Sequence, residues 1–173
     1  ESAYVFKLAA DAGIEVDSPE SSYKDEITSL LEKGFSKDEA FCFYGYRQIN
    51  GLHRLADQSK FNEELTRYIS VFQRESQWEN FDYSVQHLEK IGKLIWGEAR
   101  GDIRTNDKYR VTPVQLENQK LFTVINRINQ EVTRFRDCNV VQRIIEALKT
   151  HDRLFIIFGS AHAVMQEPAL RYL

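Results

Sequence analysis

Apolar residues recur at three- and four-residue intervals along most of this chain, and only two stretches carry a strand pattern instead. Tyr4, Val5, Leu8, Ala9 and Ala12 make one stripe, predicting a helix over 2–12. Gly13 follows, where a helix end favours a left-handed residue. Ile14 and Val16 then alternate with polar residues, the period of a short strand. Ser18 and Pro19 end it, and Glu20 stands just past the end. Ser22 can cap a helix running to about Lys33, closed by Gly34. Ser36–Glu39 reads SKDE, a capping box, and opens a broad helix carrying Ala40, Phe41, Phe43, Tyr44, Ile49, Leu52 and Leu55.

Two further stripes follow. Phe61, Leu65, Tyr68, Ile69 and Phe72 predict a helix over about 59–75, and Val85, Leu88, Ile91, Leu94 and Ile95 one over about 82–98. The polar stretch RGDIRTNDKYR is the best loop candidate. Thr112 with Pro113 then opens a helix to about Arg134, striped by Leu116, Leu121, Val124, Ile125 and Ile128. One more helix is expected from about Cys138 to Thr150. Leu154–Phe158 is a continuous apolar run of strand length, suited to a strand covered on both faces. MQEPALRYL has weak helical character.

A doubly covered strand needs neighbours on each side. Ile14–Asp17 can supply one and KYRVT another. Residues 2–13 read as a crossover helix whose preceding strand would lie before Glu1. The expected fold is therefore helix-rich α/β, with a small central, mostly parallel sheet flanked by helices. On this reading residues 1–173 are a single domain. They form the C-terminal portion of a larger α/β domain, with a helical insertion at about 21–134. The alternative is a mostly helical protein with a small sheet.

Composition narrows the function classes. Apolar residues make up 42% and charged residues 28%, as in an ordinary globular protein. The net charge of -3, with basic residues scattered, argues against a nucleic-acid footprint. No apolar run approaches the roughly 18 residues of a membrane span. Cys42 and Cys138 have no CxxC partner, which speaks against a disulfide framework and a thiolate zinc site. A reducing, cytoplasmic setting is the default. Because the chain starts with Glu1 rather than Met, a preceding targeting segment stays open.

The candidate chemistry gathers at the carboxyl ends of the two expected strands, where open α/β sheets bind ligands. Gly159, Ser160 and Ala161 are small enough to let backbone approach a ligand or cofactor, and His162 follows them. A neutral imidazole there can hold a metal or move a proton near neutral pH. Its blander part would be a helix cap. Glu20 could face the same crevice and complete a metal or acid–base pair, or it could be a solvated loop acid. Arg136 precedes Asp137, the expected N-cap of the next helix, and could clamp a carboxylate or an oxyanion. Glu1 would mark the end of the missing strand, and Glu167 reads as a helix-start charge. His53, His87 and His151 form no ligand set, and HExxH, phosphate-loop and serine-elbow motifs are absent.

The segment from Arg136 to Leu170 resembles the C-terminal part of the erythromycin-esterase/ChaN-like and TraB/GumN/Tiki-like proteins. There an arginine opens a helix, the helix leads into an apolar strand, and the strand ends in Gly-x-x-His, here Gly159 to His162. The opening stretch ESAYVFKLAADAGIEVDSPE is similar to the group's glutamate, helix, and strand closing in a glutamate, which assigns Glu1 and Glu20. The resemblance covers about a third of the chain, and the group's further Gly-x-x-His is not in this sequence. Tiki-like members are metal-dependent proteases, erythromycin esterases open a lactone, and ChaN-like members bind haem. The resemblance thus implies a hydrolase of peptide or ester bonds, acting on a small molecule or peptide. His162 and Glu20 would hold manganese, cobalt or zinc, and Arg136 would bind substrate. The alternative is a haem- or partner-binding module using the same crevice.

Overall fold

The structure, a computed structural model, describes residues 2–107, 110–112, 122–157 and 166–171. Helices α1 (Ser2–Asp11), α2 (Tyr23–Glu32), α3 (Lys37–Leu52), α4 (Phe61–Ser76), α5 (Val85–Trp96), α6 (Glu98–Gly101) and α7 (Val124–Leu148) follow in order. A short helical turn at 166–170 comes last. The chain divides into two compact units. One is Ser22–Arg136, and the other joins residues 1–21 to Asp137–Leu173.

The start signals in the sequence act through hydrogen bonds. The Ser36 hydroxyl accepts from the Glu39 amide (3.2 Å), and Glu39 Oε2 accepts from the Ser36 amide (2.8 Å). Two amides that a helix start leaves without intrahelical partners are thereby satisfied. Ser22 caps α2 through the Asp25 amide, and Ser84 caps α5 through that of His87. Gly97, at φ +82°, closes α5 in a conformation that costs glycine least.

Helix α3 organises the unit Ser22–Arg136. Residues 40–46, nearly two turns, are buried without interruption. A helix hydrophobic all round must be covered all round. Phe41 meets Phe72 of α4 and Phe81, and Tyr44 meets Tyr23 of α2 and Phe72. Tyr46 packs edge-on against Trp96 of α5. Where α3 crosses α5 only glycine fits. A Cβ on Gly92 would lie 2.0 Å from the Tyr46 hydroxyl oxygen; where α6 folds back on α5, one on Gly101 would lie 2.4 Å from Lys93 backbone. The Tyr46 hydroxyl donates to the Gly101 carbonyl, tying α6 to α3.

The stretch 102–107 is non-helical, and a buried arginine gives it its path. Arg110 donates from Nη1 to the carbonyls of Arg100 and Asp102 (both 2.9 Å), from Nε to that of Asp107 (3.2 Å), and from Nη2 to that of Thr105. Its guanidinium lies over the Tyr46 ring, 4.8 Å from the centroid. Carbonyls that no ladder satisfies thus receive a charged donor.

Three expectations are corrected. No strand exists among the described residues, so neither the central parallel sheet nor the smaller one is present. Ile14–Asp17 and Leu154–Ile157 take no regular structure, and Phe158 lies outside the described residues. A strand pattern becomes a strand only with a partner for its amides and carbonyls, and no strand pairing occurs among the described residues. The two helices expected on either side of residues 135–137 are one helix, α7, because no Gly or Pro interrupts Arg134–Cys138. Asp137 is therefore interior to α7 rather than an N-cap. The start expected at Thr112–Pro113 falls largely on residues 113–121, outside the described ones. The described start, at Val124, has the Asn126 side chain accepting from the Thr123 amide at 2.9 Å.

Gly92→Ala should lower stability by about 1–3 kcal/mol through overpacking against Tyr46. Gly51→Ala, where nothing lies within 4 Å of the added carbon, should leave stability equal or higher. Urea unfolding of both variants checks the pair. A Gly92→Ala protein as stable as the parent would refute the close crossing.

Candidate functional site

Glu20 is exposed and follows Pro19, whose carbonyl accepts from Asn139 Nδ2 of α7 at 2.8 Å. It does not stand at a strand end, since no strand forms there. His162, Gly159, Ser160 and Glu1 lie outside the described residues. Glu167 pairs with Arg171 one turn on, at 2.5 Å. His53 Nε2 lies 3.2 Å from the Ile103 carbonyl, and His87 Nε2 lies 3.0 Å from Asp38 Oδ1. These two imidazoles tie elements together.

In the unit that holds Glu20, charges fasten the 14–17 segment. Glu15 reaches His151 at 3.3 Å, and Asp17 reaches Arg143 of α7 at 2.7 Å. Ile14 and Val16, on the alternate positions, are exposed, Ile14 at 62%. Phe155 is 89% exposed, with Ile156 and Ile157 beside it also open. The acidic side of the segment is thus held and its apolar side is bare. Further along, Gln166 Nε2 donates to Asp137 Oδ1 at 2.9 Å. Asp137 and Asn139, two residues apart on α7, therefore hold Gln166 and Pro19.

Arg136 belongs to the other unit, and its partner there went unnoticed in the sequence. Glu26, only 3% exposed, accepts the Tyr44 hydroxyl at 2.7 Å and lies 3.6 Å from Arg136 Nε. Burial and the adjacent Glu26 carboxylate push the Tyr44 phenol far above its usual range, so it stays a donor. A first-turn glutamate is ordinarily read as an exposed charge favoured by the helix dipole. The better signal was spacing: Tyr23, Glu26, Ile27 and Leu30 share one face of α2. The arrangement is a buried ion pair with a tyrosine donor, joining α2, α3 and α7.

A cleft of about 30 Å³ lies between α3 and α4, with Tyr23, Tyr44, Gln48, Tyr68 and Phe72 in its walls. It has room for little more than a water or two. Among the described residues no group of three or more His, Cys, Asp or Glu is placed to hold a metal ion, so Glu20 would need ligands such as His162 from outside them. Cys42 is buried and Cys138 exposed, both as thiols, and burial raises the Cys42 pKa well above its usual value. Comparison with family profiles, curated proteins and solved structures finds no match.

Arg136→Met should cost about 3–5 kcal/mol, because it leaves the Glu26 charge buried beside an apolar side chain. The double variant Arg136→Met with Glu26→Leu should recover much of that loss. Additive losses in urea unfolding would show that the pair is not coupled. The second prediction concerns pH. The Ala147 carbonyl first, and Glu15 after it, hold the His151 pKa above its usual 6.5. A raised folded-state value means that the clasp on the 14–17 segment is fully present below about pH 6.5 and is lost as pH rises through the folded pKa. Amide exchange at 15–17 should accelerate over that rise more than base catalysis accounts for. His151→Gln should remove the excess. An unchanged profile in that variant would eliminate the clasp.

Proposed function

We propose that the chain carries part of a hydrolytic site for peptide or ester bonds, with His162 as general base or metal ligand and Glu20 as its carboxylate partner. The supporting observation is the pair of tethers on α7. Asp137 holds Gln166, four residues past His162, and Asn139 holds Pro19, the residue before Glu20. Each tether fixes a residue close in sequence to one candidate, and the resemblance is what joins the two candidates in one site. The Gly-x-x-His resemblance supplies the chemistry. A divalent ion such as manganese, cobalt or zinc would take His162 and Glu20 among its ligands and polarise the scissile carbonyl. Arg136 has no part in this reading, since Glu26 and Tyr44 account for its place as a structural ion pair.

A second reading is a non-catalytic module for a partner protein or haem. The bare apolar side chains of Ile14, Val16 and Phe155–Ile157 favour it, since exposed apolar surface marks interaction sites.

Cleavage of a peptide library and an aryl-ester panel, with each metal in turn and with chelator, separates the readings. The hydrolase reading expects turnover that falls at least about a hundredfold in both His162→Ala and Glu20→Gln. Turnover indifferent to both substitutions removes these residues from the mechanism. Absence of turnover, with a Soret band on haem titration that His162→Ala abolishes, favours the binding module.

A further inference from the structure

Residues 11–18 are exposed throughout, yet the stretch 15–19 keeps one course along α7. Alternate residues hold it there. The Pro19 carbonyl accepts from Asn139 Nδ2 at 2.8 Å, Asp17 Oδ2 accepts from Arg143 Nη2 at 2.7 Å, and Glu15 Oε2 lies 3.3 Å from His151 Nε2. Asn139 and Arg143 are one step apart on a single ridge of the helix, about 6 Å. Two residues of extended chain cover about 6.6 Å, so Pro19 and Asp17 keep pace with that ridge. Its next position, Ala147, has no polar side chain. His151 serves there instead, because its amide and Nδ1 both reach the Ala147 carbonyl, at 3.0 and 3.1 Å, and set the ring beside that turn. Positions 15, 17 and 19 thus face the helix, and Ile14 and Val16 face away, 62% and 38% exposed. An extended segment ordinarily seats its apolar side inward. This one is seated in reverse.

We propose that residues 14–18 are a strap, latched on α7 by charge and released when that charge is screened or removed. The balance of forces favours a latch over permanent seating. Exposed ion pairs hold weakly and weaken further in salt. Burial of an isoleucine and a valine would hold the segment far more firmly, and this seating forgoes it. The charges that set the latch are Glu15 and Asp17 on the strap, Arg143 on α7 and His151 just past its end. A pivot is also in place. Gly13, at φ +68° with open space around it, joins the strap to α1 and can absorb a change of direction. The latch governs the direction from which the chain reaches Glu20, whether or not Glu20 is catalytic.

Backbone ¹⁵N relaxation of the full chain gives the test, at a fixed pH of about 6 so that His151 keeps its proton. At low salt the amides of Val16 and Asp17 should be as ordered as those of the α7 interior, with order parameters near about 0.85. Raising NaCl from about 0.02 to about 0.5 M shortens the Debye length from about 20 Å to about 4 Å. Their order parameters should then fall below about 0.6 while those of α3 stay put. Arg143→Gln should give the low values already at low salt. Reversing the pair, with Asp17→Lys and Arg143→Glu together, should restore the order, which a role independent of charge would not do. Order parameters in the parent that ignore salt would overturn the strap. So would a strap that stays ordered in Arg143→Gln, or one that stays mobile in the reversed pair.

Discussion

Helix α3 lacks a solvent-facing side over residues 40–46, and the unit Ser22–Arg136 is arranged around that constraint. Seven successive residues, from Ala40 to Tyr46, include four aromatic rings, and each direction around the axis needs its own cover. Burying one such ring contributes about 2–3 kcal/mol, which makes the covering contacts the main store of stability. Close approach follows from the same demand. Gly92 lets α5 reach Tyr46, and the Tyr46 hydroxyl in turn holds Gly101. Two buried charged groups have fixed partners: Glu26 with Tyr44 and Arg136, and Arg110 with the carbonyls of its own loop.

The helices were legible because their signals are local. Ser22 and Ser36 act on amides three residues away, and Gly34 takes positive φ at a helix end. What could not be read was whatever depends on a distant partner. Ile14–Asp17 and Leu154–Ile157 have β-type sequences, but a sequence states only that a residue suits a pleated surface, not that another strand is beside it. The helix start expected near Asp137 failed for a different reason. Asp is a good cap, but here nothing stops the preceding turn, and the acid is used to hold Gln166 instead. Glu26 is not legible locally, because its role depends on its register on α2 and on Arg136, more than a hundred residues later.

The candidate site was legible only as residue types at suggestive positions. Glu20 is placed by the contact between Pro19 and Asn139, some 120 residues apart in sequence, which no local pattern reports. The distinction between Arg136 as substrate clamp and Arg136 as ion-pair partner likewise turns on Glu26, more than a hundred residues earlier. Residue chemistry suggested the clamp, whereas the contact with Glu26 is visible only in three dimensions. The 14–17 segment shows the same logic from the other side. Its alternation is real, but the polar face is the one fastened, by His151 and Arg143.

The Arg110 guanidinium has a consequence for how this surface can vary. The path of residues 100–107 is written in the side chain of a residue beyond them, through carbonyls that every amino acid possesses. Side-chain identity at an exposed position such as Asn106 is thereby uncoupled from loop shape. Mutation can redecorate such an exposed position while the contour is inherited unchanged. A single change at Arg110 would remove the contour from every decoration at once.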